Sequence, residues 1–176
     1  MSILVIIIIA IVGYFVIKAL FEPRLIPIPK RIKMLEEIID NLQAYLSSEY
    51  KKELEEYKAQ RLKDKFWDED SLKWKTKQYR DFNELININS RLCERYRNDQ
   101  DKLLAQLADW AMLLEHYRDI QYDHNLNMAY IESNLDTVFD ESKMAERGGK
   151  IAEICERIKH RAAVEKIPHK VLEISQ

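Results

Sequence analysis

Residues 79–138 read YRDFNELININSRLCERYRNDQDKLLAQLADWAMLLEHYRDIQYDHNLNMAYIESNLDTV. Within them Tyr79, Phe82, Ile86, Asn89, Cys93, Tyr96, Gln100, Leu103, Leu107, Trp110, Leu114, Tyr117, Gln121, His124, Met128, Ile131, Leu135 and Val138 advance by alternating steps of three and four. This register of about eight heptads marks helices that bundle or supercoil along a shared seam. It predicts an all-α protein, either an antiparallel bundle or an extended coiled coil made with copies or partners. Tyr96, Leu103, Leu107, Trp110, Leu114, Tyr117, Met128, Ile131 and Leu135 form the expected interaction seam. Asn89, Gln100, Gln121 and His124 place polar groups in it, which lowers stability but fixes register and partner number. Two breaks are compatible with the pattern. Asp99 is an acceptable N-cap for a new helix, and a second candidate lies at Asp123 to Asn127.

Downstream, Gly148-Gly149 reads as a helix stop and tight turn. RGGK does not read as a phosphate loop, because no strand precedes it and the spacing fits no phosphate fingerprint. A last helix is expected over Lys150 to Lys166, with Ile151, Ile154, Cys155, Ile158 and Ala162 on one face and Pro168 as its end. The tail PHKVLEISQ alternates weakly, as a short strand, a partner-binding peptide or a frayed end would.

Upstream, residues 66–71, FWDEDS, suit a helix N-terminus, where side-chain oxygens and negative charge meet free N–H groups. From Lys30 to about Phe66 there is neither Gly nor Pro. Leu35, Ile39, Leu42, Leu46, Tyr50, Leu54, Tyr57 and Arg61 recur there at helical spacing, giving one apolar stripe and a solvated opposite face. Glu22 to Pro29, EPRLIPIP, carries three of the four prolines and reads as a stiff non-helical spacer before the basic KRIK.

The chain opens MSILVIIIIAIVGYFVIKALF, apolar from Ile3 to Ile17 and again to Phe21 past Lys18. About 20 such residues at 1.5 Å each cross the roughly 30 Å core of a bilayer. No basic n-region or A-x-A site marks a cleaved signal peptide. The expectation is an uncleaved transmembrane helix, with Ile3, Ile17, Lys18 and Phe21 as anchor residues. Lys18, Arg24, Lys30, Arg31 and Lys33 all follow the run, which predicts an outside N-terminus and a cytoplasmic helical domain at the inner membrane. The domain division is then residues 1–22 for the anchor, 23–33 for a proline-rich basic spacer, 34–147 for the long-helix bundle or coiled coil, and 148–176 for the terminal helix and tail.

Composition agrees with helices and few turns: Gly 3 and Pro 4 in 176 residues are low counts. A formal net charge of −2 argues against a dedicated nucleic-acid binder, and no nucleic-acid partner is expected. Cys93 and Cys155 form no C-x-x-C pair and read as small buried hydrophobes, reduced in a cytoplasmic domain. The run Lys73, Trp74, Lys75, Lys77 and Arg80 is basic and aromatic, but Asp68, Glu69 and Asp70 sit beside it, so it reads first as a solvated face.

No G-x-S-x-G, H-E-x-x-H, Walker A or G-x-G-x-x-G motif occurs. The chain is therefore expected not to be an enzyme and to need no cofactor. Its expected role is a single-pass membrane-anchored scaffold, adaptor or accessory subunit. It would contact lipids through the anchor and a protein partner, or copies of itself, through the long helices. The alternative is a membrane-tethered metal-binding protein or enzyme built on Glu115 to His124, EHYRDIQYDH, where His116, Asp119 and Asp123 share a helix face. Glu-x-x-His pairs on other helices, which a di-metal bundle requires, are missing. His124 is expected on the apolar seam.

Overall fold

The computed structural model describes residues 26–61, 69–133 and 140–168. Among these residues the protein is all-α, with α1 over Ile28–Arg61, α2 over Glu69–Arg95, α3 over Gln100–Glu132 and α4 over Glu141–Val164. The apolar opening run, Leu135 and the tail beyond Pro168 lie outside the described residues. No described helix is long and apolar enough to cross a membrane.

α1 begins at the prolines. The Pro27 carbonyl accepts the N–H groups of Lys30 (2.9 Å) and Arg31 (3.1 Å), and Pro29 sits in the first turn. Proline is tolerated there because its missing N–H has no intrahelical acceptor in any case. KRIK is thus helical, and the helix also takes in Ile28 and Pro29, the last two residues of the stretch expected to be non-helical. The helix then runs 34 residues, about 50 Å.

The long heptad register belongs to two helices. After Arg95 the chain turns, with the Asp99 N–H donating to the Tyr96 carbonyl at 2.8 Å. Asp99 holds extended geometry (φ −122°, ψ 91°) and its carboxylate accepts the Lys102 N–H at 3.1 Å, which starts α3. The periodicity survives this turn because α2 and α3 face one core. The second candidate break, Asp123 to Asn127, is absent: α3 continues to Glu132.

Gly148-Gly149 does not stop a helix. α4 starts at Glu141, seven residues before Gly148, behind an Asp140 cap (φ −111°, ψ 97°) that accepts the Lys143 N–H, and it runs through both glycines without a positive φ. Two glycines cost a helix interior about 1 kcal/mol each relative to alanine. The Asp140 cap and the buried stripe Ile154, Cys155, Ile158 and Ala162 outweigh that local preference. The true end is at Lys166, whose φ is 54°. The Lys166 N–H bonds the Ala163 carbonyl and the Ile167 N–H bonds the Ala162 carbonyl, a Schellman closure with Pro168 next in the chain.

Cross-helix contacts set the topology. Glu53 of α1 meets Lys75 of α2 and Gln121 of α3, Arg147 of α4 meets Asp123 of α3, and Arg95 of α2 meets Glu165 just past α4. The helices therefore alternate up and down. α3 contacts the other three, α1 most extensively, while α1 and α4 are held apart by α2 and α3. The first residues of α1, the α2–α3 turn and the close of α4 share one end, hereafter the basal end.

One core runs through the bundle: Ile39, Leu46 and Tyr50 from α1, Phe82, Leu85, Ile88 and Leu92 from α2, Leu107, Trp110, Leu113 and Leu114 from α3, and Ile154, Cys155 and Ile158 from α4. Leu85, Ile88, Leu92 and Leu113 lie outside the seam register yet are among the most buried residues. A helix with neighbours on two sides buries a stripe wider than a two-helix seam does.

Candidate functional site

Two polar layers cross the bundle. In the basal half, Gln106 is 0% exposed; its Nε2 donates to Asn89 Oδ1 (3.0 Å) and its Oε1 accepts from Arg161 Nη1 (2.9 Å). Arg161 also reaches Asp109 at 2.5 Å, and Arg157 holds the same carboxylate at 2.8 Å. Burial pushes the Asp109 carboxyl up, but hydrogen bonds and charge from Arg157 and Arg161 outweigh that, leaving it below its usual range. The layer links α2, α3 and α4 and leaves the amide of Gln106 paired on both sides.

In the other half, Glu53 accepts from Lys75 Nζ at 2.5 Å with both side chains 12% exposed, and from Gln121 Nε2. The Lys75 ammonium lies 5.2 Å from the Trp74 ring centroid and 5.9 Å from that of Tyr57. The basic run at Lys73 to Arg80 is thus partly neutralised within the chain: Lys73 pairs with Asp70, Lys75 with Glu53, and Arg80 with Asp81. Trp74 stays 58% exposed.

Of the Glu115–His124 cluster, Asp119 and Asp123 stay together but are engaged by a cation, and His116 lies near Glu146 of α4. Asp123 and Asp119 face Arg147 of α4, and Asp119 also pairs with Arg118 at 2.9 Å. Glu115 is exposed, and His124 is exposed as well, where the seam register had placed it on the apolar face. Among the described residues, no three His, Cys, Asp or Glu side chains are grouped to hold a metal.

Between α2 and α4 lies a cleft of about 270 Å³, with Gly148 and Ala152 on one wall and Gln78 and Phe82 on the other. Its floor is an aromatic stack in which Tyr50 and Tyr117 meet the Phe82 ring edge-to-face at 5.1 and 5.8 Å. Tyr117 and Cys155 share a hydrogen bond, and burial raises the Tyr117 hydroxyl well above its ordinary range. Burial also pushes the Cys155 and Cys93 thiols up to about 11, so neither is a ready nucleophile. Both cysteines are free.

The expected seam divides into two fates. Tyr96, Leu107, Trp110 and Leu114 are buried in the chain's own core, and Leu103 and Tyr117 pack against it. Met128 and Ile131 remain 44% and 54% exposed. The anchor residues Ile3, Ile17, Lys18 and Phe21, and Leu135, lie outside the described residues. The seam reading missed Gln106, Asp109, Arg157 and Arg161. The i, i+4 spacing of the two arginines was visible, but their partners stand on another helix about 50 residues away.

No known protein family, curated protein or solved structure matches this chain.

Proposed function

We propose that the protein is a single-pass membrane-anchored scaffold or accessory subunit, whose four-helix bundle stands on the cytoplasmic side and joins a larger assembly through helix contacts. The observation that carries this reading is the exposed end of the α3 seam. Met112, Tyr122, Met128 and Ile131 are all large, apolar or aromatic, and exposed, while the same helix buries Trp110 and Leu114 completely. Met112 and Tyr122 are isolated exposed residues of an ordinary kind, but Met128 and Ile131 lie three residues apart and continue, past the chain's own core, the seam that buries Trp110 and Leu114, which suits a partner helix laid along it. The run Ile3 to Phe21 and the basic residues behind it support the anchor and its orientation.

Extraction in mild detergent, sizing, and identification of co-purifying chains test it. A particle larger than one chain that shrinks in the Met128→Glu/Ile131→Glu variant is expected. A lone monomer, with or without those substitutions, overturns the scaffold reading.

A further inference from the structure

The basal end of the bundle collects charge from three distant stretches of sequence. Lys30, Arg31 and Lys33 open α1, Arg97 lies in the α2–α3 turn, and Lys166 closes α4. All five side chains are exposed, and none makes an ion pair among the described residues. Near the opposite end many cations are neutralised: Lys73 by Asp70, Lys75 by Glu53, Arg147 by Asp123 and Asp119, and Lys150 by Glu146. Acids at the basal end are partly engaged. Asp99 caps α3 and pairs with Lys102, and Glu165 pairs with Arg95, which leaves Glu94 and Asp101, with Glu36 and Glu37 one turn along α1 from Lys33, as exposed carboxylates beside the five cations.

Apolar side chains are interleaved with these cations. Ile26 and Met34 are exposed beside Lys30 and Lys33, and Val164 is 64% exposed beside Lys166. Since α1 and α4 do not touch, the two mixed clusters stand at opposite corners of one end, with Arg97 in the turn of the α2–α3 hairpin that separates them. Together they mark a surface across the bundle axis. Cations with interspersed apolar groups are the chemistry of an anionic lipid interface, where ammonium and guanidinium groups meet phosphates and apolar groups enter the headgroup layer.

We propose that the basal end is a lipid-headgroup surface on which the bundle stands end-on over an anionic leaflet. This rests on the anchor reading above, which sets the source of the phosphates: residues 22–27 reach at most about 20 Å, so the basal end cannot stray far from the end of the apolar run. The far end then projects about 50 Å from the membrane.

The full chain, reconstituted in vesicles of phosphatidylcholine with or without phosphatidylglycerol, tests the arrangement. A photo-crosslinking residue at Asn98, exposed in the basal turn, or at Ser142, exposed at the far end, reports lipid contact. Lipid adducts are expected at Asn98 and not at Ser142. They should fall about tenfold in the neutral vesicles, in high salt, and in the Lys30→Glu/Arg97→Glu/Lys166→Glu variant. Circular dichroism checks that the variant keeps its helices; if it does not, the salt and lipid arms carry the test alone. Equal adducts at both positions mean a bundle lying flat and overturn the proposal. Adducts at Asn98 that ignore lipid charge also overturn it, since tethering alone would then explain them. Alkaline carbonate extraction separates the two readings. A released chain that still shows charge-dependent adducts loses the anchor and keeps the surface, whereas a retained chain without them does the reverse.

Discussion

Asp109 binds two guanidinium groups of α4 beside a Gln106 whose amide is paired on both sides. Removing one partner from such a layer costs more than the layer contributes, because the remaining charges lose their compensation. The Asp109→Ala variant is expected to lose about 1–3 kcal/mol in urea unfolding, the low side of a buried pair because both arginines keep partial contact with water. Arg157→Ala should lose less, since Arg161 still holds the carboxylate. Trp110 poses the opposite case. Its ring is fully buried but its Nε1 has no hydrogen-bond partner, so Trp110→Phe should cost only about 1 kcal/mol, against about 3–5 for Trp110→Ala. Thermal unfolding of the two variants gives the comparison.

α4 shows a helix overriding its own composition. Gly148 and Gly149 have helical φ values, and a Cβ built on either meets nothing within 4 Å. Gly149→Ala should therefore stabilise the protein by roughly 0.5–1 kcal/mol, seen as a higher midpoint in chemical unfolding. A loss of stability would mean that these residues form a turn after all. Asp99 and Asp140 are caps of one design, each accepting the N–H of a lysine three residues on and pairing with its ammonium. Hydrogen bonds from the backbone, first those of Lys102 and Lys143, hold both carboxyls below the ordinary 3.8. The D-x-x-K pattern was visible at both sites. The sequence reading finds only the Asp99 cap, because the glycines place the second boundary at Lys150, nine residues after the helix begins at Glu141.

For the molecule as a whole, the shifted groups bound a pH range of full stability. Asp99, Asp109 and Asp140 titrate lower in the fold than the ordinary 3.8, so their contribution is complete above that value and is lost as pH falls below it. Cys93 and Cys155 titrate near 11 in the fold against an ordinary 9.0, so stability is complete below about 9 and declines as pH rises toward 11. Unfolding midpoints measured across pH should show a plateau between these limits. The thiols supply a second readout: Cys155 should react with iodoacetamide only at the rate of unfolding, and Cys93, half-buried, somewhat faster. Rapid modification of Cys155 in the folded chain would contradict the packing of Tyr117 against it.

Local signals were enough to determine the helices, because apolar period, capping aspartates and the scarcity of glycine and proline all act within a few residues. By itself the sequence established an all-α chain, the α1 stripe through Ile39, Leu46 and Tyr50, the turn at Asn98-Asp99 as an option, and the stop before Pro168. Tertiary structure decided which option held. It folded the long register back on itself, buried Leu85, Ile88, Leu92 and Leu113 between two neighbours, and carried α4 through its glycines on the strength of its buried face. It also joined Asn89 and Gln106 to Arg161 and Asp109, and gathered Lys30, Arg97 and Lys166 at one end. The physical reason is the same throughout: period reports one helix's face, while partner identity depends on which faces meet, and that is set by the whole core at once.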